Sequence, residues 1–210
     1  MKKDLTELVF IIDRSGSMQG LESDTIGGFN AMLKEQQSIE GDAIVTTVLF
    51  DDQYELLHDR IDIKAVAPLT GKDYWVRGST ALLDAVGKTI NKISGAQTHT
   101  AGDYRAGRTM VVIITDGMEN ASREYSLANI KSLIERQKEK HGWEFIFLGA
   151  NIDAVKEAGR IGIAADRAQN YHASPEGVNK AYASMSRASS EFRKNRKLDG
   201  WSEDEKSDKT

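Results

Sequence analysis

Asp13, Ser15 and Ser17 sit at alternate positions, with Gly16 between the serines. The apolar run 8–12 comes just before them and reads as a buried strand. If the chain leaves that strand in a tight loop, three side-chain oxygens turn toward one point. Gly16 gives the backbone the freedom such a loop needs. One carboxylate and two hydroxyls are hard ligands, the set that suits Mg²⁺, Mn²⁺ or Ca²⁺. The competing reading is that Asp13 and Ser15 cap the next helix. A five-residue motif alone leaves both readings open.

Two further stretches favour the metal. Gly78-Ser79-Thr80-Ala81-Leu82 puts a hydroxyl at the start of an amphipathic helix. Thr115-Asp116-Gly117 puts a second carboxylate directly after the apolar run 110–114. Together the three resemble the von Willebrand factor A family. The metal-ion-dependent adhesion site of that family combines an Asp-x-Ser-x-Ser element, a distant Thr and a distant Asp. The matching positions are Asp13, Ser15 and Ser17, then Thr80, then Asp116, in the family's order. The resemblance spans about residues 5–195. It implies a divalent cation, Mg²⁺ or Mn²⁺ with Ca²⁺ also suited, whose open position takes a Glu or Asp side chain from a partner protein. It also implies that the hydroxyls bind directly and that one or both aspartates act partly through water.

An enzyme is the competing class. An aspartate after a first strand also resembles the Mg²⁺-dependent haloacid-dehalogenase phosphatases. Those need a second Asp two residues on, and here that position is Ser15. The Gly-x-Ser-x-Gly elbow of serine hydrolases is missing, as are the glycine-rich phosphate loops. The reading is therefore a non-enzymatic binding module, with a Mg²⁺-dependent phosphatase-like hydrolase as the alternative. His58, His99, His141 and His172 lack metal-ligand spacing and read as surface or strand-end residues. Glu119, Asn120 and Asp84 could support the site loops or simply be solvated. Tyr74, Trp75 and Arg77 could form a partner-selecting rim. The favoured alternative packs Trp75 beneath the loop as core.

The elements that must position these residues follow from periodicity. Position 13 closes the first strand. A helix runs to about residue 37, capped by Ser23 or Asp24, with Ile26, Phe29 and Leu33 inward. The β-branched run 43–50 is a central strand, and the short turn 51–53 makes 54–63 its antiparallel, charged edge partner. Residues 64–79 read as loop, 81–93 as helix, and 94–107 as a flexible connection. Strand 108–115, helix 126–140, strand 143–148 and a short helix capped by Asp153 follow. A short strand, 169–172, precedes a helix opened by Ser174-Pro175, with Val178, Tyr182, Met185, Ser189 and Phe192 inward. The expected class is α/β: a Rossmann-like doubly wound sheet of about six strands with helices on both faces. Its strands should be mostly parallel, with one antiparallel edge strand. Ligands in such sheets bind beyond the carboxyl ends of the strands, where Asp13 and Asp116 lie.

Composition sets the bounds. The 210 residues suit one domain, expected over 5–197, and the acidic stretch 198–210 reads as a disordered tail. Hydrophobic content of 40% with 29% charged is that of a soluble globular chain. A net charge of -4 does not point to nucleic acid. The basic cluster Arg187, Arg193, Lys194, Arg196 and Lys197 reads as favourable charge at a helix carboxyl end. The sequence has no cysteine, which excludes disulfides and thiolate zinc sites. No stretch approaches the ~20 apolar residues of a membrane span, and the start is unlike a secretory leader. The expected location is cytoplasmic.

Overall fold

The computed structural model describes residues 2–195 together with Leu198 and Trp201. Among these, six strands form a single sheet: β1 (Lys2–Asp13), β2 (Ala43–Phe50), β3 (Tyr54–Asp62), β4 (Ala106–Thr115), β5 (Glu144–Ala150) and β6 (Ala168–Tyr171). The spatial order is β3-β2-β1-β4-β5-β6. Every pairing is parallel except β2 with β3. The order turns back between β1 and β4, so the two central strands flank the switch point where doubly wound sheets bind ligands.

Among the described residues, five α-helices cover the two faces: α1 (Glu22–Ser38), α2 (Leu82–His99), α3 (Leu127–His141), α4 (Ala154–Arg160) and α5 (Pro175–Asn195). Alternation along β1 divides the core. Leu8, Phe10 and Ile12 pack with Phe29 and Leu33 of α1 and with Val178, Tyr182, Met185 and Phe192 of α5. Val9 and Ile11 pack on the other side with Val86 and Ile90 of α2, Ile130 and Ile134 of α3, and Ala154 and Ala158 of α4. Successive side chains of a strand point to opposite faces, so a continuous apolar run is what a strand covered on both sides requires.

β3 is the edge strand that its charges predict. Its ladder with β2 shifts register near Thr47, and Arg60 adopts a positive φ of 52°. Such irregularities blunt an edge against pairing with another chain. The bulged stretch turns His58 inward, where Nδ1 lies 3.1 Å from Thr47 Oγ1, so this histidine is buried rather than at the surface.

Several boundaries move, each for a physical reason. α1 begins at Glu22 with no side-chain cap, and Ser23 and Asp24 lie inside its first turn. α2 continues six residues past the expected end at 93, to His99. Its last turn is held by a polar contact: Gln97 Nε2 donates to Glu7 Oε2 (2.7 Å) and Thr109 Oγ1 (2.8 Å). The expected flexible connection 94–107 therefore reduces to a short link with one 3₁₀ turn, Gly102–Tyr104, before β4. The Asp153 cap of α4 is as the sequence suggests, and α3 has a cap of its own. Ser126 and Asn129 form a capping box, and Asp153 accepts from Lys156 N.

Within the basic cluster, Arg193 has a different role from the one expected. Arg193 is buried and reaches across from α5 to the carboxyl end of α1, donating to the carbonyls of Gln36, Ile39 and Gly41. Gln36 lies in the last turn of α1, where helix carbonyls lack intrahelical donors, and Ile39 and Gly41 follow the helix end. Arg196 and Lys197 lie outside the described residues. The packed domain also reaches past 197. Leu198 and Trp201 are buried in the α1/α5 side of the core, and Trp201 Nε1 donates to Ser184 O (3.4 Å). The rest of the expected tail, 199–200 and 202–210, lies outside the described residues. Among the described residues no helix is long and apolar enough to cross a membrane.

Arg193→Ala should cost about 2–4 kcal/mol in urea unfolding, since it removes several charge-assisted bonds, one of them to the carbonyl of the buried Gln36. Lys194→Ala, next to it but exposed, should stay within about 0.5 kcal/mol of wild type.

Candidate metal centre

Asp13 ends β1, and Asp116 follows the last residue of β4. In the parallel register Ile12 pairs with Ile114, so both carboxylates emerge at the same end of adjacent central strands. The chain after β1 enters a short 3₁₀ turn, Gly16–Met18, and not α1. Ser15 makes no side-chain cap bond there, which removes the capping reading.

The five predicted residues meet at one place. Ser15 Oγ lies 2.8 Å from Ser17 Oγ and accepts from Thr80 Oγ1 at 2.9 Å. Oxygens at adjacent corners of an octahedron with metal–oxygen bonds near 2.05 Å are about 2.9 Å apart, so these spacings match a Mg²⁺ shell. Asp13 is already engaged: Oδ1 accepts from Ser15 N (2.7 Å) and Oδ2 from Thr115 Oγ1 (2.6 Å). Asp116 differs. Both of its oxygens are buried and neither has a hydrogen-bond partner of good geometry. A buried carboxylate left without donors is costly. A cation bound beside it would remove that cost.

Burial pushes Asp13 up to about 6, against the bonds from Thr115 and Ser15, and the nearby Asp116 charge adds to the rise. Burial also raises Asp116, and Ser17 offsets only part of the effect. Both shifts say that the site disfavours two bare negative charges.

Gly117 leaves room for a cation. A Cβ there would sit 2.8 Å from Ser17 Oγ and 2.9 Å from Thr80 Oγ1, inside the cradle the hydroxyls form. Among the described residues no three His, Cys, Asp or Glu side chains cluster as a metal cage. A cation here would therefore depend on the hydroxyls for much of its shell.

The neighbouring acids are spoken for. Glu119 accepts from the amides of Leu83, Ala121 and Ser122. Asn120 Oδ1 accepts from Thr80 N (2.9 Å) and holds the threonine in place. Asp84 accepts from the amides of Arg123, Glu124 and Tyr125; burial raises its pKa, but those three bonds outweigh it and the net shift is downward. Of the open alternatives for these three residues, the structure supports loop positioning.

Sequence reasoning missed the parts played by Thr115, Arg14 and Asp51, and read Tyr74 and Arg77 as a partner rim rather than as supports of the site. Thr115 carries the bond that joins the β4 end to Asp13. Tyr74 is buried and donates to Asp13 O (2.7 Å). Arg14, fully buried, pairs through Nε with Asp51 Oδ2 (3.1 Å), and Arg77 Nε reaches the same oxygen at 2.6 Å. Burial raises the Asp51 pKa, but the Arg77 bond, the Gln53 amide and the two positive charges outweigh it, so it stays low. Only the position of Arg14 inside the Asp-x-Ser-x-Ser element hinted at this role.

Trp75 is not core. It is 42% exposed, with Arg14 Cζ 5.1 Å and Arg77 Cζ 5.6 Å from its ring centroid. Met118, two residues after Asp116, is 62% exposed. Among the described residues the exposed large hydrophobics are these two, Tyr104 and Val155, so half of them belong to segments carrying candidate ligands.

Solved structures with the same arrangement of elements include the proximal thread matrix protein of the mussel byssus. It has a TM-score of 0.58 at 15% identity, over 89% of this chain and 46% of that one. A von Willebrand factor type A protein from Catenulispora acidiphila has a TM-score of 0.55 at 14% identity, over 88% and 42%. The von Willebrand factor domain of a Porphyromonas gingivalis pilus-tip protein has 0.59 at 11%, over 87% and 94%. The chain has a von Willebrand factor A-like fold. It spans less than half the length of the byssus and Catenulispora proteins and nearly all of the pilus-tip domain. The byssus protein is also known with zinc in its metal-ion-dependent adhesion site. No protein-family model matches the chain, and no curated protein matches it in sequence.

Two outcomes test this geometry. Gly117→Ala should abolish the response of the melting temperature to Mg²⁺ while the protein stays folded. In chelator, Asp13 binds its proton more tightly folded than unfolded. Its contribution therefore makes stability fall as pH rises from about 4 to about 6, by about 3 kcal/mol in all. Asp13→Asn should flatten that slope in urea titrations, and an unchanged slope would count against the buried, ionisable Asp13 described here.

Proposed function

We propose that the protein is a metal-dependent protein-binding module and not an enzyme. The observation that carries this is the Asp116 carboxylate: buried, with neither oxygen in a hydrogen bond of good geometry, and beside hydroxyls spaced as a cation shell. Ser15, Ser17 and Thr80 would bind the ion through neutral oxygens. Asp116 has lone pairs free to bind it directly or through water. Asp13, with both oxygens engaged, would act through its neighbours.

Two carboxylates against one divalent cation give about zero formal charge. An ion held largely by neutral oxygens keeps its attraction for one more anion. A Glu or Asp side chain of a partner protein is the anion this arrangement suits. Mg²⁺ or Mn²⁺ fits the octahedral spacing best, and Ca²⁺ the oxygen-only ligand set. The zinc-occupied site of the byssus protein supports a divalent ion in this fold. The hydrolase alternative needs a general acid two residues after Asp13. Ser15 stands there, tied into the hydroxyl group.

Mg²⁺ at a hundred times its dissociation constant should stabilise the protein by about 2.7 kcal/mol, which for a domain of this size is roughly 5–10 °C in melting temperature. Asp116→Ala should lose that response and be as stable as wild type, or more so, without metal. Thr80→Ala should blunt the response less, because it removes a neutral ligand and leaves the charges. A wild type indifferent to millimolar divalent metal would contradict the proposal. Metal-dependent turnover of a generic phosphatase substrate by wild type but not by Asp116→Ala would favour the hydrolase.

A further inference from the structure

Beside the metal centre lies an apolar pocket of about 160 Å³, lined in part by Leu82, Leu83, Met118, Leu127, Phe147 and Ile161. Its near wall comes from the site's own segments. Leu82 and Leu83 follow Thr80 by two and three residues, and Met118 directly follows Gly117. Its far wall comes from α3, β5 and the end of α4. The charged groups at its edge are already paired: Glu119 with three amides, and Glu157 with Arg160 at 2.7 Å. The lining is mostly apolar and includes the exposed Met118. Apolar cavities of about 150 Å³ accept a benzene ring, so the space suits one Phe- or Leu-sized side chain. Methionine is an adaptable contact for such a guest.

Resting on the metal-dependent reading above, we propose that this pocket seats an apolar side chain, Phe or Leu, from the same partner segment whose Glu or Asp binds the metal. The two anchors have separate tasks. The carboxylate gives metal dependence, and the apolar residue selects among the many acidic segments available. A lone exposed carboxylate would carry little specificity, whereas an aromatic or aliphatic anchor in a desolvated pocket is what concentrates binding energy.

The test uses synthetic Gly/Ser-rich peptides with one Glu and one Phe, the Phe placed one to four residues to either side. The controls replace Phe by Ser. Binding to the full chain is followed by methyl NMR in Mg²⁺ and again in chelator. At least one Glu/Phe spacing should bind about tenfold or more tightly than its Glu/Ser control, as burial of a Phe side chain implies. It should shift the methyls of Leu83, Met118 and Leu127, and only with Mg²⁺. Met118→Gln should remove most of the Phe increment while keeping the Mg²⁺-dependent binding of the Glu/Ser peptide. If all Glu peptides bind equally and metal-dependently, the pocket proposal is overturned and the metal reading stands. If none binds in Mg²⁺, the metal reading fails and the pocket proposal with it.

Discussion

Two carboxylates share one buried corner, at the ends of the two central strands. β1 and β4 run parallel and in register, so Asp13 and Asp116 leave the sheet together at its switch point. Burial raises both pKa values, and the Asp116 charge disfavours that of Asp13 further. The fold accepts this cost where a surface placement would have avoided it. Such a corner is stable at neutral pH only with compensation. Asp13 has it in Ser15 N and Thr115 Oγ1. Asp116 has only the nearby Ser17 hydroxyl, in no hydrogen bond of good geometry, and that asymmetry is the strongest physical argument for a cation.

The loops around the corner are held by a second buried ion group. Asp51, in the β2–β3 turn, takes Arg14 from the loop after β1 and Arg77 from the segment before Thr80. Its backbone carbonyl also accepts from Ala81 N (2.9 Å), and Gly16 N donates to Gly78 O (3.1 Å). Three chain segments distant in sequence are thus fixed to one another, and the hydroxyls of Ser15, Ser17 and Thr80 with them. A buried network of this kind adds little net stability, yet breaking one partner leaves an unpaired charge. Its role here is positional.

The sheet and the candidate ligands were legible because they rest on short-range rules. Apolar runs covered on both faces marked β1, β2, β4 and β5, and the residue types after β1 and β4 marked the site. What was not legible rests on long-range polar contacts. Gln97 extends α2 by reaching Glu7, although Ser94 and Gly95 break the apolar period. Arg193 looks like an ordinary basic residue near a helix end until α1 is packed beside it. Tyr74 and Trp75 are neighbours of similar character. Only the tertiary structure decides that the first is buried under Asp13 and the second is exposed over two guanidinium groups.

The most direct test of the account is a crystal structure of the protein with Mn²⁺, read by anomalous scattering. The account predicts one strong anomalous peak among Ser15 Oγ, Ser17 Oγ and Thr80 Oγ1, at about 2.1–2.3 Å from each, with Asp116 bound directly or through one water. Density at that place that stays free of anomalous signal at millimolar Mn²⁺, or a peak bound by other residues, would contradict it.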